Sequence, residues 1–229
     1  MNAAINTFVL VLASIFPVVN PPGSALVFLG FTSGATPELR ALIARRVALN
    51  SFILLVCSFL LGALILQFYG ISIPILRVGG GFIVAVSGWK LLNEGSHKEL
   101  ETPADGAPGT RLLDQAFYPL TLPLTTGPGS MAVVISIGLS EATISTPADR
   151  LIFVIASVVA IAVLALTILL CFTYADRIQR ILGPGGTDIA VRLSAFILFC
   201  LGLQILWSGG NELLRSVIAA GPAPLLHTQ

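Results

Sequence analysis

The chemistry of this chain is concentrated in two octapeptides, PVVNPPGS at Pro17 to Ser24 and PLTTGPGS at Pro123 to Ser130. They align without gaps and agree at Pro17/Pro123, Pro22/Pro128, Gly23/Gly129 and Ser24/Ser130. Each lies within a long apolar run. Proline removes a backbone donor and crowds the preceding turn, and glycine admits the conformations of unwound chain. Both runs are therefore expected to break, at Pro21-Pro22-Gly23 and at Gly127-Pro128-Gly129. A new helix is expected to start at Ser24 and at Ser130, since serine caps helix N-termini well. The first N–H groups and the positive dipole end of each new helix would point at the middle of the membrane, a favourable place for a carboxylate. Asn20, Thr125 and Thr126 add neutral donors and acceptors at the same level. Glu141, Asp149, Asp176 and Asp188 fall near helix ends, so no acidic side chain is expected to neutralise those termini. The expected substrate-binding set is Asn20, Pro21, Pro22, Gly23, Ser24, Thr125, Thr126, Gly127, Pro128, Gly129 and Ser130. The plainer alternative is that the breaks are kinks whose freed backbone groups are satisfied by neighbouring helices.

These elements must be held in lipid. Of 229 residues, 55% are hydrophobic and 10% charged, and mean hydropathy is +0.95. A soluble domain carries about a quarter charged residues, so this chain lacks the polar surface to face water all round. The net charge of +1 supplies no field for nucleic acid. A helix crossing the ~30 Å hydrocarbon core needs about 20 apolar residues. Six such stretches are read, from Ala4 to Gly30, Val47 to Phe68, Ile73 to Leu92, Ala116 to Leu139, Leu151 to Tyr174, and Ile189 to Trp207. The expected fold class is an all-α membrane protein of six transmembrane helices, with the first and fourth broken.

The polar connection with Glu94, Lys98, Glu99, Glu101, Pro103, Asp105, Pro108 and Arg111 divides the segments three and three. The halves repeat beyond the octapeptides, because Thr36-Pro37-Glu38-Leu39-Arg40 recurs as Thr146-Pro147-Ala148-Asp149-Arg150. The two matches lie 106 and 110 residues apart, which points to duplication. An odd number of crossings per unit makes the second copy enter from the opposite side, giving inverted repeats. The expected organisation is a first repeat at 1–92, a linker at 93–114, an inverted second repeat at 115–214 and a tail at 215–229. Eight Lys and Arg residues fall on the linker's side (Arg40, Arg45, Arg46, Lys90, Lys98, Arg111, Arg177 and Arg180), against Arg150 and Arg215 on the other. The linker is therefore expected in the cytoplasm and both termini outside.

The remaining polar and reactive residues read as structural. Arg77 and Arg192, just inside the starts of the third and sixth segments, are expected to snorkel to the interface, with substrate guidance the minority reading. Cys57, Cys171 and Cys200 lie singly in apolar runs, which argues for packing over disulfide or metal ligation. Gly79-Gly80-Gly81 and Gly88 mark a small-residue face for close helix packing. His97 and His227 lie outside the segments, so no intramembrane catalytic or zinc cluster can be assembled, and neither an enzyme nor a cofactor is expected.

NPPGSALVFLGFTS with TPELRALIARR, RVGGGFIVAVSGWKLL, and PLTLPLTTGPGS together resemble the MarC family of bacterial inner-membrane proteins, which includes SnatA-type neutral amino acid transporters. The resemblance runs from about Asn2 to Leu214. It implies six transmembrane helices and a place in a broad transporter superfamily. The expected function is a secondary transporter or facilitator of small neutral amino acids or similar metabolites. The ligand would bear a carboxylate and be neutral overall. A non-transporting membrane scaffold or regulator is the alternative. The sequence permits a homo-oligomer without requiring one.

Overall fold

The computed structural model describes residues 2–32, 34–94, 113–140, 144 and 146–220. Most of the expected linker, Glu141, both histidines and the end of the tail lie outside the described residues. The elements are α1 (Asn2–Val19), α2 (Pro21–Phe31), α3 (Pro37–Tyr69), α4 (Ile73–Glu94), α5 (Ala116–Thr125), α6 (Pro128–Ser140), α7 (Pro147–Thr173) and α8 (Ala175–Ala220). The described residues contain no strand. Five helices are long and apolar enough to cross a membrane: Ala3–Phe31, Pro37–Tyr69, Ile73–Asn93, Pro147–Thr173 and Gly185–Ser216. The fourth expected crossing is built differently, from the irregular α5 and the shorter apolar helix α6.

The helices start earlier than hydropathy suggests because polar first turns are capped. Thr36 Oγ1 accepts from the Leu39 N–H at 3.3 Å, and Thr146 Oγ1 accepts from the Asp149 N–H at the same distance. Pro37 and Pro147 follow as first helical residues, where the missing N–H costs nothing. The repeated Thr-Pro motif is thus a pair of helix starts. It extends α3 and α7 about ten and four residues ahead of the apolar runs that begin at Val47 and Leu151. Arg40, one turn in, is 11% exposed and ion-paired to Asp176 at the start of α8. It also donates to the Thr32 hydroxyl at 3.2 Å and the Thr32 carbonyl at 2.9 Å, tying α2, α3 and α8 together. α8 turns sharply at Gly183, whose φ of 67° suits glycine, so its first two turns are set off from the long span.

α3 packs against α7, and α4 against α8; α1 packs on α7 while α5 packs on α3; α2 lies on α7 and α8, and α6 on α3 and α4. The core runs along α3 and α7 through Val47, Leu55, Ile161, Leu164 and Ile168, closed at one end by the Phe28 and Phe172 rings stacked 4.4 Å apart. The outer surface is more apolar than a water-facing surface would be. Phe68, Ile181 and Trp207 are more than 70% exposed, whereas Ser51, Thr121, Thr126 and Ser157 are completely buried. Large exposed apolar side chains over buried hydroxyls fit a lipid solvent.

The small-residue face of α4 proves to be divided. A Cβ at Gly81 or Gly88 would come within 2.9 Å of backbone in α8, and one at Gly202 within 2.6 Å of the Ala85 Cα. Gly209 fits as closely, 2.7 Å from the Pro74 carbonyl oxygen. α4 and α8 therefore meet backbone to backbone, as small residues allow in lipid. Gly80 instead faces Ala132 of α6, and Gly79 has open space. The cysteines correct the packing expectation: Cys57 and Cys200 are exposed and Cys171 only half-buried. In lipid a small apolar thiol gains little from burial, because the solvent is as apolar as the core. Gly202→Leu and Gly81→Leu should cost at least the roughly 1–3 kcal/mol typical of overpacking, seen as a lower thermal unfolding midpoint in detergent, while Gly79→Leu should leave it unchanged. An equal loss at Gly79 would count against this packing.

Candidate functional site

The first break falls on one residue, Asn20, which adopts the left-handed conformation at φ 49°, ψ 61°. α1 still bonds up to it, the Asn20 N–H donating to the Phe16 carbonyl at 2.8 Å. Beyond it, Pro21 and Pro22 have no N–H, so the carbonyls of Pro17 and Val18 lose the donors a continuous helix would supply. The Gly23 N–H is taken by the Asn20 side-chain oxygen at 3.3 Å. The Val19 carbonyl, left without that donor, accepts from the Ser24 hydroxyl at 3.1 Å. Asn20 is thus the cap of α2, and Pro21 its first residue, three residues ahead of the expected start at Ser24.

The second break is longer because prolines are denser. Pro119 and Pro123 restrict the residues before them, and Tyr118 and Leu122 are accordingly extended, with ψ of 122° and 123°. α5 winds in wide turns that step over the missing donors: Leu120 N–H reaches the Gln115 carbonyl at 3.2 Å, and Thr126 N–H the Thr121 carbonyl at 2.8 Å. Hydroxyls add further bonds to the backbone. Thr121 donates to the Ala116 carbonyl at 2.6 Å, Thr125 to Leu120 at 2.7 Å, and Ser130 to Gly127 at 2.8 Å. Chain direction changes at Thr126 and Gly127, and α6 starts at Pro128 instead of Ser130. The Thr126 hydroxyl is buried without a hydrogen-bond partner.

Gly23 and Gly129 correct the expectation of unwound glycine. Both lie in helical first turns, and neither has a positive φ. What they supply is closeness: a Cβ at Gly23 would be 2.9 Å from the Ser194 Cβ of α8, and one at Gly129 would meet Val84 and, at 3.2 Å, the Gly80 carbonyl of α4. Each break is seated on one member of the α4–α8 pair.

Two cavities adjoin the breaks. One of about 60 Å³ is lined by Thr125, Gly127, Pro128, Gly129 and Ser130, with Ser87 of α4 opposite. The larger, about 400 Å³, lies among α1, α4, α6 and α8 and is bordered by Pro17 and Val18 together with Ser14, Arg77, Gln204 and Ser208. Val18 lines both. The structure therefore brings the second octapeptide and the end of α1 to a shared concavity. Asn20, Pro21, Pro22, Gly23, Ser24 and Thr126 line neither of the two, and Pro22 is exposed. Gln204, Ser14 and Ser87 were not anticipated; a lone amide in the most apolar stretch of α8 was the available signal. The arginines do more than snorkel. Arg77 is ion-paired to Glu212 at 2.7 Å, while Arg192 pairs with Asp188 at 2.9 Å and donates to the Leu92 carbonyl at 3.3 Å.

Long apolar helices with a lipid-suited outer surface, two of their crossings interrupted, define a multi-pass helical membrane protein. The chain belongs to the MarC family of integral membrane proteins, whose family model matches residues 5–214. It is 31% identical to the inner membrane protein MarC of Salmonella typhimurium and to that of Salmonella typhi, in each case over 90% of this chain and 94% of the relative. It is 30% identical to the corresponding Escherichia coli O1:K1 protein, with the same coverage. No solved structure matches this chain.

The left-handed Asn20 gives the break a measurable signature. Asn20→Ala should lower stability by about 1 kcal/mol through the lost cap, Asn20→Gly should cost less, and Asn20→Val should cost most, because a β-branched residue is strained at positive φ. Thermal unfolding in detergent reads the order, and a neutral Asn20→Val would contradict the geometry.

Proposed function

We propose that this protein is a secondary transporter or facilitator of small, carboxylate-bearing solutes that are neutral overall, with small neutral amino acids the leading class. The observation that carries the reading is that the second helix interruption and the end of α1, just ahead of the first, border adjoining cavities, with Val18 common to both. Backbone freed from helix inside hydrocarbon is tolerated where a watery cavity or protein receives it, and paired interruptions in corresponding segments are a hallmark of transporter binding sites.

In this reading the halves, 1–92 and 115–214, are inverted repeats with six crossings. The packing supports it, because exchanging the halves maps contacts onto contacts: α1 on α7 becomes α5 on α3, α2 on α8 becomes α6 on α4, and α3–α7 and α4–α8 map onto themselves. The relatives' name and the arginine distribution favour a bacterial inner membrane, with linker 93–114 cytoplasmic and both termini, including the tail from 215, outside. The larger cavity then lies in the outer half of the membrane. The Phe28–Phe172 stack and the Arg40–Asp176 pair close the cytoplasmic half. Rocking α4–α8 against α3–α7 would exchange the open side.

Purified protein in proteoliposomes should take up labelled L-alanine or glycine above empty vesicles. Val18→Trp, which fills the passage between the cavities, should cut uptake at least tenfold while the protein still elutes as a single folded species. No flux of any small neutral amino acid through the native protein would overturn the reading in favour of a scaffold.

A further inference from the structure

Gln204 lies near the middle of the 185–216 span, is exposed, and lines the larger cavity. Among the described residues its amide makes no hydrogen bond to protein. An unpartnered amide at that depth is costly in hydrocarbon, so the cavity beside it must supply water or a polar ligand. Arg77 lines the same cavity from α4. Among the described residues its one hydrogen-bond partner is Glu212, reached through Nη1 at 2.7 Å, which leaves the other donors of its fork uncommitted there. Both members of the pair are partly exposed, at 35% and 50%, and a water-accessible pair of that kind is held weakly. Gly209 lets Arg77 sit this close to α8, a Cβ there falling 2.9 Å from the Arg77 Cβ.

Arg192, the corresponding arginine of the second half, is engaged differently. It bonds Asp188 on its own helix and the end of α4, and it lines neither cavity. Gln204 likewise falls outside both repeated motifs, which marks this polar pair as a feature of one side only.

We infer that the larger cavity is a binding station separate from the octapeptides, where Arg77 exchanges Glu212 for the ligand's carboxylate and Gln204 hydrogen-bonds the rest of the solute. The guanidinium fork takes a free carboxylate bidentately, which the single bond to Glu212 does not match. At about 400 Å³ the cavity is in the size range, roughly 300–1,000 Å³, of small-molecule sites. This inference rests on the transport reading for its ligand class, but binding tests it without flux.

The test is binding of L-alanine and of L-alaninamide, which lacks the carboxylate, to the full-length protein in detergent by isothermal calorimetry, beside uptake in proteoliposomes. The native protein should bind L-alanine and discriminate against the amide. Arg77→Gln should weaken L-alanine binding at least tenfold and erase the discrimination; Arg77→Lys, which keeps charge and fold but loses the fork, should give an intermediate loss. Glu212→Gln should tighten L-alanine binding at least twofold, because the competing carboxylate is gone. Gln204→Leu should weaken both probes. The sign at Glu212 separates the proposal from a merely structural ion pair. If Glu212→Gln weakens binding as much as Arg77→Gln, or if Arg77→Gln binds like the native protein, the inference is overturned; absence of saturable L-alanine binding overturns it too. Binding as described without uptake would leave it standing and sink the transport reading instead.

Discussion

Every peptide group that crosses hydrocarbon must find its hydrogen bond within the protein. The rest of this structure depends on how that constraint is met where proline breaks it. Pro21, Pro22, Pro119, Pro123 and Pro128 each delete a donor inside an apolar run. Short side chains close in sequence make up part of the loss: the Asn20 amide oxygen takes the Gly23 N–H, the Ser24 hydroxyl serves the Val19 carbonyl that Gly23 would otherwise have reached, and the hydroxyls of Thr121, Thr125 and Ser130 add bonds to nearby carbonyls. The replacement is partial: the Pro17 and Val18 carbonyls gain none of these bonds, and both residues border the larger cavity. The Thr126 hydroxyl is buried without a partner.

A second constraint follows from the solvent. Lipid gives apolar side chains little reason to choose the interior, so close contact must come from backbone approach. Gly81, Gly88, Gly202 and Gly209 bring α4 and α8 together, and Gly23 and Gly129 seat the new helices on that pair. Glycine therefore matters at the breaks for its lack of a side chain, while the one left-handed residue there is an asparagine. The charged groups follow the same economy of position. Arg40 joins three elements, Arg192 ties α8 to the end of α4, and only Arg77 is turned to the larger cavity.

Much of this was legible in the sequence because the governing signals are local. Apolar run length marked the spans, and Pro-Gly pairs in matching contexts marked the breaks. The exact starts of α2 and α6 were not legible, since serine is a favoured cap but here Asn20 precedes two prolines and Ser24 donates backward instead. α5 was read as ordinary helix because Pro119 and Pro123 act jointly, each forcing its predecessor to extend, an effect visible only when wide turns are considered. The Arg77–Glu212 and Arg40–Asp176 pairs join residues about 135 apart, and no local pattern announces them. Gln204 is silent for the opposite reason: duplication marks the octapeptides, and this residue belongs to neither repeat motif.

Transport by this arrangement requires a water-filled cavity that reaches the middle of the membrane beside the breaks. Thiol accessibility tests it most directly, because a membrane-impermeant maleimide reacts with the thiolate, which forms in water and not in lipid. With Cys57, Cys171 and Cys200 replaced by alanine, a single cysteine is introduced by Gln204→Cys, or by Leu203→Cys as the neighbouring lipid-facing control. The account predicts that in intact spheroplasts the reagent added outside labels the position-204 thiol and leaves the position-203 thiol unmodified. Equal resistance at both positions, or labelling at 204 only from the cytoplasmic side, would contradict it.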